Sequence, residues 1–388
     1  MAKVFHFHAN RQQRDAPIPA RSAAPPKPDP SWRDRRIAIY AAALALVLLI
    51  VLVELARAGG PQYVAGVSYF NAGLAGQPIT WAGRAITYYT DQGDLSPLLR
   101  GPDADTFVAD AFSRWTQIPT AAISATRGGQ LAEDVSGANV ILNSDRSITL
   151  PLDIEPTATA KPIGIVYDAD GTVTDALIGS GASSDCFTNA TFGGVDAFTI
   201  DGHFAHALVV LDGKCAQTSG ALPDLKYHLV RVLGRVFGLG WSQLNLNAIT
   251  GIPQPSGDDL AGLPVMHEDD LGSCVPISGC YPNPDTPKMD DRAALSRLYP
   301  VTIANLSQFP GKQIFAAQTA RIHGSVKFTD SSGDPTQAMQ GVNVVARCLD
   351  CAAAGYAASS VSGFLFSGNA GNITDSDPRM QPWRVFST

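Results

Sequence analysis

Ile37 to Val53, IAIYAAALALVLLIVLV, is an unbroken apolar run, and it divides the chain before anything else can be read. At ~1.5 Å of rise per helical residue, a run of this length sits near the lower limit for crossing a bilayer. A buried core helix would show some polar face along such a stretch, and this one shows none. Arg33, Arg35 and Arg36 precede it, which favours an N-terminus held in the cytoplasm. Ala56-Arg57-Ala58 has the small-x-small form of a signal-peptidase site, so a cleaved signal peptide is the rival reading. The leader ahead of the run is long for a signal peptide, and an uncleaved single-pass anchor over 37–55 is favoured.

The anchor sets the expected organisation. Residues 1–36 carry eight Lys/Arg against three Asp and no periodicity, which predicts a disordered cytoplasmic tail. That excess of +5 leaves −12 of the overall −7 to the rest of the chain. An acidic body without a basic stripe excludes nucleic acid as the expected partner. Hydrophobic content of 45% with 16% charged residues fits a folded extracytoplasmic portion. All six cysteines follow the anchor, as an oxidising exterior would allow. Proximity suggests Cys186–Cys215, Cys274–Cys280 and Cys348–Cys351, among fifteen possible pairings. Residues 56–80, rich in Gly, Ala and Gln, read as a linker.

From Trp81 the pattern predicts a mixed α/β (α+β) domain over 81–300. Ala85–Thr90 reads as a strand, and Pro102–Gln117 as a helix with Phe107, Val108, Ala111, Phe112 and Trp115 at helical spacing. Further strands are expected at Ala121–Thr126, Ala138–Leu142, Ile163–Tyr167 and Ala207–Leu211. Asp168, Asp170 and Asp175 surround Gly171, so a structural calcium loop competes there with a solvated turn.

Leu225 to Ser242, LKYHLVRVLGRVFGLGWS, is an amphipathic helix followed by a glycine turn, with Pro223-Asp224 as a start and Asp224 as its expected cap. Its frame resembles the active-site helix of matrixin-like (metzincin-type) zinc metallopeptidases, HExxHxxGxxH. On that frame Arg231 stands at the first histidine, Val232 at the glutamate, Arg235 at the second histidine and Trp241 at the third, while Gly238 keeps the glycine. The family chemistry needs two imidazoles one turn apart on a zinc ion and a carboxylate acting on the metal-bound water. Guanidinium offers donors and no lone pair, valine takes no proton, and indole only donates. No metal is therefore expected at the former catalytic position.

The resemblance extends to Met266 at the place of the methionine turn and to a closing helix from Asp290 to Pro300, while the alternation of strands with two helices implies a sheet with one helix under it and the signature helix behind. It also implies a metal role for His206, in Ala205-His206-Ala207, which competes with an ordinary core or surface histidine. Residues 301–318 read as a linker. Residues 319–388 open with alternating strands, Ala320–Phe328 and Gly341–Arg347, similar to carboxypeptidase regulatory-like β-sandwich modules and shorter than a whole one.

The expected function is a membrane-anchored pseudopeptidase that binds an extracytoplasmic protein, peptide or anionic ligand through Arg231, Arg235 and Trp241. Two alternatives stay open: an active peptidase with an unconventional metal site built from His203, His206, His228 or His267, and an envelope structural or adhesion protein. For the two arginines the plain account is salt bridging, with Asp258, Asp259, Glu268, Asp269 and Asp270 as candidate partners.

Overall fold

The computed structural model describes residues 60–66, 69–242, 251–252, 254–267, 274–275, 279–280, 283–320, 322, 324–339, 342–347, 357–361 and 373–374. The N-terminal tail and the apolar run Ile37–Val53 lie outside them. Among the described residues no helix is long and apolar enough to cross a membrane.

The fold is mixed α/β, with a five-stranded mixed sheet and six α-helices among the described residues. In chain order the elements begin with β1 (Val64–Ala65), β2 (Ala85–Thr90), α1 (Gly101–Thr116), β3 (Ser124–Gln130) and the small hairpin β4 (Ile141–Leu142) and β5 (Ile148–Thr149). Then come β6 (Ile163–Asp168), α2 (Thr172–Leu177), β7 (Thr191–Phe198), β8 (Phe204–Asp212), α3 (Leu222–Val236) and α4 (Gly257–Ala261). A short ladder of β9 (Cys274–Val275) and β10 (Gly279–Cys280) precedes α5 (Met289–Leu298) and α6 (Phe315–Gln318). The sheet runs β3-β2-β6-β8-β7; its first four strands are parallel and β7 is antiparallel to β8.

Strand periodicity shows how the layers are made. Ile163, Ile165 and Tyr167 of β6 join Ala207, Val209 and Leu211 of β8 in the core that holds α1 and α3. The intervening Val166, Leu208 and Val210 face Leu131, Val135, Val140, Leu150 and Ile154 in a second, smaller cluster. Both long helices thus lie on one face, and the irregular 131–154 segment covers the other. That differs from the expected arrangement of one helix under the sheet and one behind it. Central parallel strands covered on both faces read as continuous apolar runs, which is why IGIVYD and HALVVLD carry little alternation.

The two helices meet through aromatic residues. Tyr88 of β2 stacks on Phe112 of α1 at 4.2 Å, and Phe112 meets Phe237 edge-on at 6.0 Å. The Trp115 indole donates to the Val230 carbonyl at 2.8 Å, and the Trp81 indole to the Val236 carbonyl at 2.8 Å. Tyr299, just past α5, is fully buried; its hydroxyl donates to the Phe237 carbonyl at 2.9 Å and accepts from the Trp81 amide at 3.2 Å.

Four boundaries differ from those expected. The 56–80 segment, expected as a linker, contributes buried residues: Val64, Ala65, Phe70 and Ile79 are buried, and the last three join the core. The strand expected at Ala121–Thr126 lies at 124–130, and that expected at Ala138–Leu142 shrinks to two residues. α3 starts at Leu222 with Ala221 in the cap position, so Asp224 falls in the first turn instead of capping it. Edge strand β7 was not expected, because TFGGVDAF has neither alternation nor an apolar run. Its Gly193, at φ 136°, allows a backbone approach that a Cβ would block at 2.1 Å from the Leu208 carbonyl oxygen.

The expected disulfide Cys186–Cys215 is formed. Cys274 and Cys280 face each other in the β9–β10 backbone register, whereas Cys348 and Cys351 lie outside the described residues. Among the described residues the chain divides into a body, which spans residues 60–323 and those after 341, and a small unit at residues 324–339. In the small unit β11 (Lys327–Thr329) and β12 (Pro335–Ala338) form an antiparallel hairpin. The antiparallel pair β13 (Asn343–Arg347) and β14 (Ala357–Val361), and β15 (Ile373–Thr374) parallel to β1, belong to the body.

Candidate functional site

α3 carries the site because its sequence spends one face on the core and the adjoining edge on chemistry. Leu225, Leu229, Leu233 and Val236 are buried in the core, and Arg231 and Arg235 follow one another by a turn. Gly234 sits between them in the chain for a packing reason: a Cβ there would lie 2.3 Å from Met266 Sδ and 2.7 Å from Trp115 Cζ2. Gly238 ends the helix at φ 92°, with Phe204 ring atoms where a Cβ would stand. The chain then turns so that Trp241 comes back over the arginines.

Both guanidiniums lie against that indole. Arg235 Cζ is 4.6 Å from the Trp241 ring centre and Arg231 Cζ is 5.1 Å from it. Arg231 also stands 5.6 Å from the Tyr227 ring, one turn earlier on the helix. Only 5% exposed, Arg231 donates from Nη2 to the His267 carbonyl at 2.7 Å. Tyr227 Oη and His267 Nε2 lie 2.7 Å apart, which fixes the next position of the Met266 turn. The Ser242 amide donates to the Met266 carbonyl at 2.7 Å and closes the turn against the end of α3.

Arg235 is half-buried and is held from the other side. With its side-chain oxygen toward the guanidinium, Gln62 accepts from Arg235 Nη2 at 2.9 Å and from Tyr63 Oη at 3.2 Å. Its Nε2 then donates to the Arg235 carbonyl at 3.0 Å; the opposite orientation would set donors against donors. Burial pushes the Tyr63 hydroxyl up to about 12 against the lowering effect of Arg235, so it remains a donor.

His267 belongs to this group and His228 lies at its margin, whereas the remaining expected residues are held elsewhere. Val232 is half-buried against the core. His206 is fully buried, with Nδ1 2.7 Å from Asp196 Oδ1 on β7, and His203 Nδ1 lies 3.1 Å from the Thr80 carbonyl. His228 makes an edge contact with Tyr227 at 5.3 Å. The acidic loop uses its carboxylates locally. Asp168 accepts from the Val173 and Thr174 amides at 3.1 and 2.7 Å, Asp170 from the Thr172 amide at 3.0 Å, and Asp175 from the Ser183 amide at 2.8 Å. Among the described residues no three His, Cys, Asp or Glu side chains converge as a metal would require. The Asp168, Asp170 and Asp175 carboxylates are thus each engaged by amides of their own loop.

Glu268, Asp269 and Asp270 lie outside the described residues, and Asp259 caps its own helix by accepting from the Ser256 amide at 3.0 Å. Two members of the site were not legible. Tyr227 is i−4 from Arg231 and could have been found by helical spacing; Gln62 sits in a segment whose composition resembles a linker. Beneath the site, burial pushes the Asp290 carboxyl up to about 7, with a hydrogen bond from Ser242 acting the other way. Neither any protein-family model nor any curated protein matches the chain.

Proposed function

We propose that the chain is a pseudopeptidase of matrixin-like build, displayed on the outer side of a membrane by Ile37–Val53, and that it binds anionic groups instead of cleaving peptides. The observation that carries the reading is the pair of guanidiniums sharing the Trp241 ring on the helix edge where a metallopeptidase would present imidazoles. A guanidinium held this way offers planar, charged donors suited to a carboxylate and has no electron pair for a metal. The resemblance is supported by a methionine under the helix, packed at Gly234, and by a closing helix whose Asp291 binds the methionine turn. The Cys186–Cys215 bridge supports an oxidising compartment. Against the unconventional-metal alternative, no three His, Cys, Asp or Glu side chains converge among the described residues.

The test is the metal content of the purified full-length chain after zinc loading and dialysis, with casein cleavage measured in parallel. The expected result is far less than one zinc per chain and no turnover. Stoichiometric zinc with chelator-sensitive cleavage would overturn the proposal.

A further inference from the structure

We infer that the Cys186–Cys215 bridge is a thiol-exchange latch: a thiol attacks at Cys186, the 178–190 loop lifts, and the Asp212 carboxyl beneath it meets water while the sheet stays folded.

The two halves of the bridge differ in access. Cys186 is exposed, whereas Cys215 is 4% exposed and belongs to the main core. An attacking sulfur must line up with the bond it breaks, so approach from solvent leads to Cys186 Sγ and not to Cys215 Sγ. The incoming thiolate bonds to Cys186, the bond to Cys215 breaks, and Cys215 leaves as a thiolate that takes a proton from solvent. A second thiol then bonds to the first one, and Cys186 leaves as a thiol. The two electrons come from the two thiols, which end as their own disulfide.

Without the bridge the loop has a thin hold. It connects α2, which ends at Leu177, to β7, which begins at Thr191. Lys214 Nζ donates to Ser183 Oγ at 2.7 Å, and the Ser183 amide donates to Asp175 Oδ1 at 2.8 Å. Asp185 and Asn189 spend bonds inside the loop, on the Phe187 amide and the Ala182 carbonyl. Phe187, next to the bridge, is 54% exposed, so little apolar burial secures that end.

Asp212 is what the latch covers. It ends β8 opposite Asp168, is fully buried, and its Oδ2 has no hydrogen-bond partner. The turn after it carries Lys214 and Cys215, the two residues that tie the loop down. At the loop's end the Ala190 carbonyl accepts the Asp212 amide at 3.0 Å. Burial pushes this carboxyl up to about 7; Asp168 on β6 and Asp175 on α2 act the same way, and the Lys214 amide and ammonium act against them. Lifting the loop hydrates the carboxyl and lets it ionise at lower pH.

Reduced glutathione is the probe for the point of attack. The folded full-length chain is incubated with it, quenched in acid and mapped by peptide mass; the adduct is expected on Cys186 and not on Cys215. An equal share on Cys215 would overturn the direction of attack. Amide hydrogen exchange with and without dithiothreitol reads the loop. The Ser183, Ser184 and Asn189 amides should exchange about tenfold faster or more after reduction, while the Tyr167 amide, held by Asp91, keeps its rate. If the loop amides do not speed up, or Tyr167 speeds up as much as they do, the bridge is a staple of the whole fold and the latch is wrong. Asp212→Asn reads the cover: its gain in Tm at pH 8 should shrink on reduction. An equal gain in both redox states would remove Asp212 from the device.

Discussion

The Asp291 carboxylate accepts the Met266 amide at 3.0 Å, and its other oxygen accepts the Val265 amide at 2.8 Å. The same oxygen takes the Lys288 amide at 2.8 Å, so one fully buried side chain holds both the start of α5 and the turn beneath α3. Asp291→Ala would leave three amides unanswered in the interior. Each such loss costs about 1–3 kcal/mol, and a fall of about 3 kcal/mol or more in urea unfolding is expected. An unchanged midpoint would show that the turn does not depend on this carboxylate.

The two arginines should separate in stability. Arg231→Ala removes a buried charge-assisted bond to the His267 carbonyl and a cation from between two rings, and should cost about 2–3 kcal/mol. Arg235→Ala, half-buried, should cost about 1 kcal/mol or less. Denaturant unfolding of both variants decides it, and equal losses would contradict this division of roles.

Gly234→Ala tests the contact with the methionine. Alanine is the better helix former by about 1 kcal/mol, so helix propensity alone predicts stabilisation. The added methyl would press on Met266 Sδ and Trp115 Cζ2, and a net loss of about 1–3 kcal/mol is expected instead. Gly234→Ala with Met266→Ala should recover part of it.

Stability should fall between pH 4 and pH 8 on account of the buried carboxyls. Burial raises Asp91 to about 6 and Asp212 to about 7 from an ordinary value of 3.8. The folded state then holds these protons more tightly than the unfolded chain. Their contribution is complete below pH 3.8 and is lost as pH rises through 6 and 7. Asp212 Oδ2 is buried with no hydrogen-bond partner, while Oδ1 accepts the Lys214 amide at 2.9 Å. Asp212→Asn can keep that bond, and should be more stable than wild type at pH 8 by on the order of 2 kcal/mol, with the gain vanishing near pH 4. Thermal unfolding across this range reads it directly.

Reduction of Cys186–Cys215, which spans 29 residues, should cost about 3–4 kcal/mol on loop entropy. Unfolding with and without dithiothreitol measures it, and no difference would mean the loop is already held by its own hydrogen bonds.

What the sequence made legible was whatever periodicity or a fixed frame could carry. α1 and α3 announce themselves through Phe107–Trp115 and Leu225–Phe237, and β2, β6 and β8 through apolar runs. Met266 and the closing helix followed from their order after α3. β7 was hidden because its Gly193-Gly194 pair is there for close approach to β8 and not for burial of side chains. Gln62 and Tyr63 were hidden for another reason: their partners lie more than a hundred residues away, and a glutamine in a Gly/Ala/Gln stretch gives no local sign of a guanidinium waiting for it. Helical spacing sets Arg231 and Arg235 one turn apart and the family frame adds Trp241, but the unequal exposure of the two arginines follows from the return of the chain at Gly238.

Tyr299 has a consequence for the order of synthesis. The Trp81 amide and the Phe237 carbonyl are joined by a hydroxyl that comes near the end of the body's last long helix. While residues before it are emerging, the first strand's approach and the end of α3 remain without their shared clasp. A nascent chain released early, before residue 299, would carry every strand of the central sheet and still be unable to close, and that makes it a natural target for proteolysis.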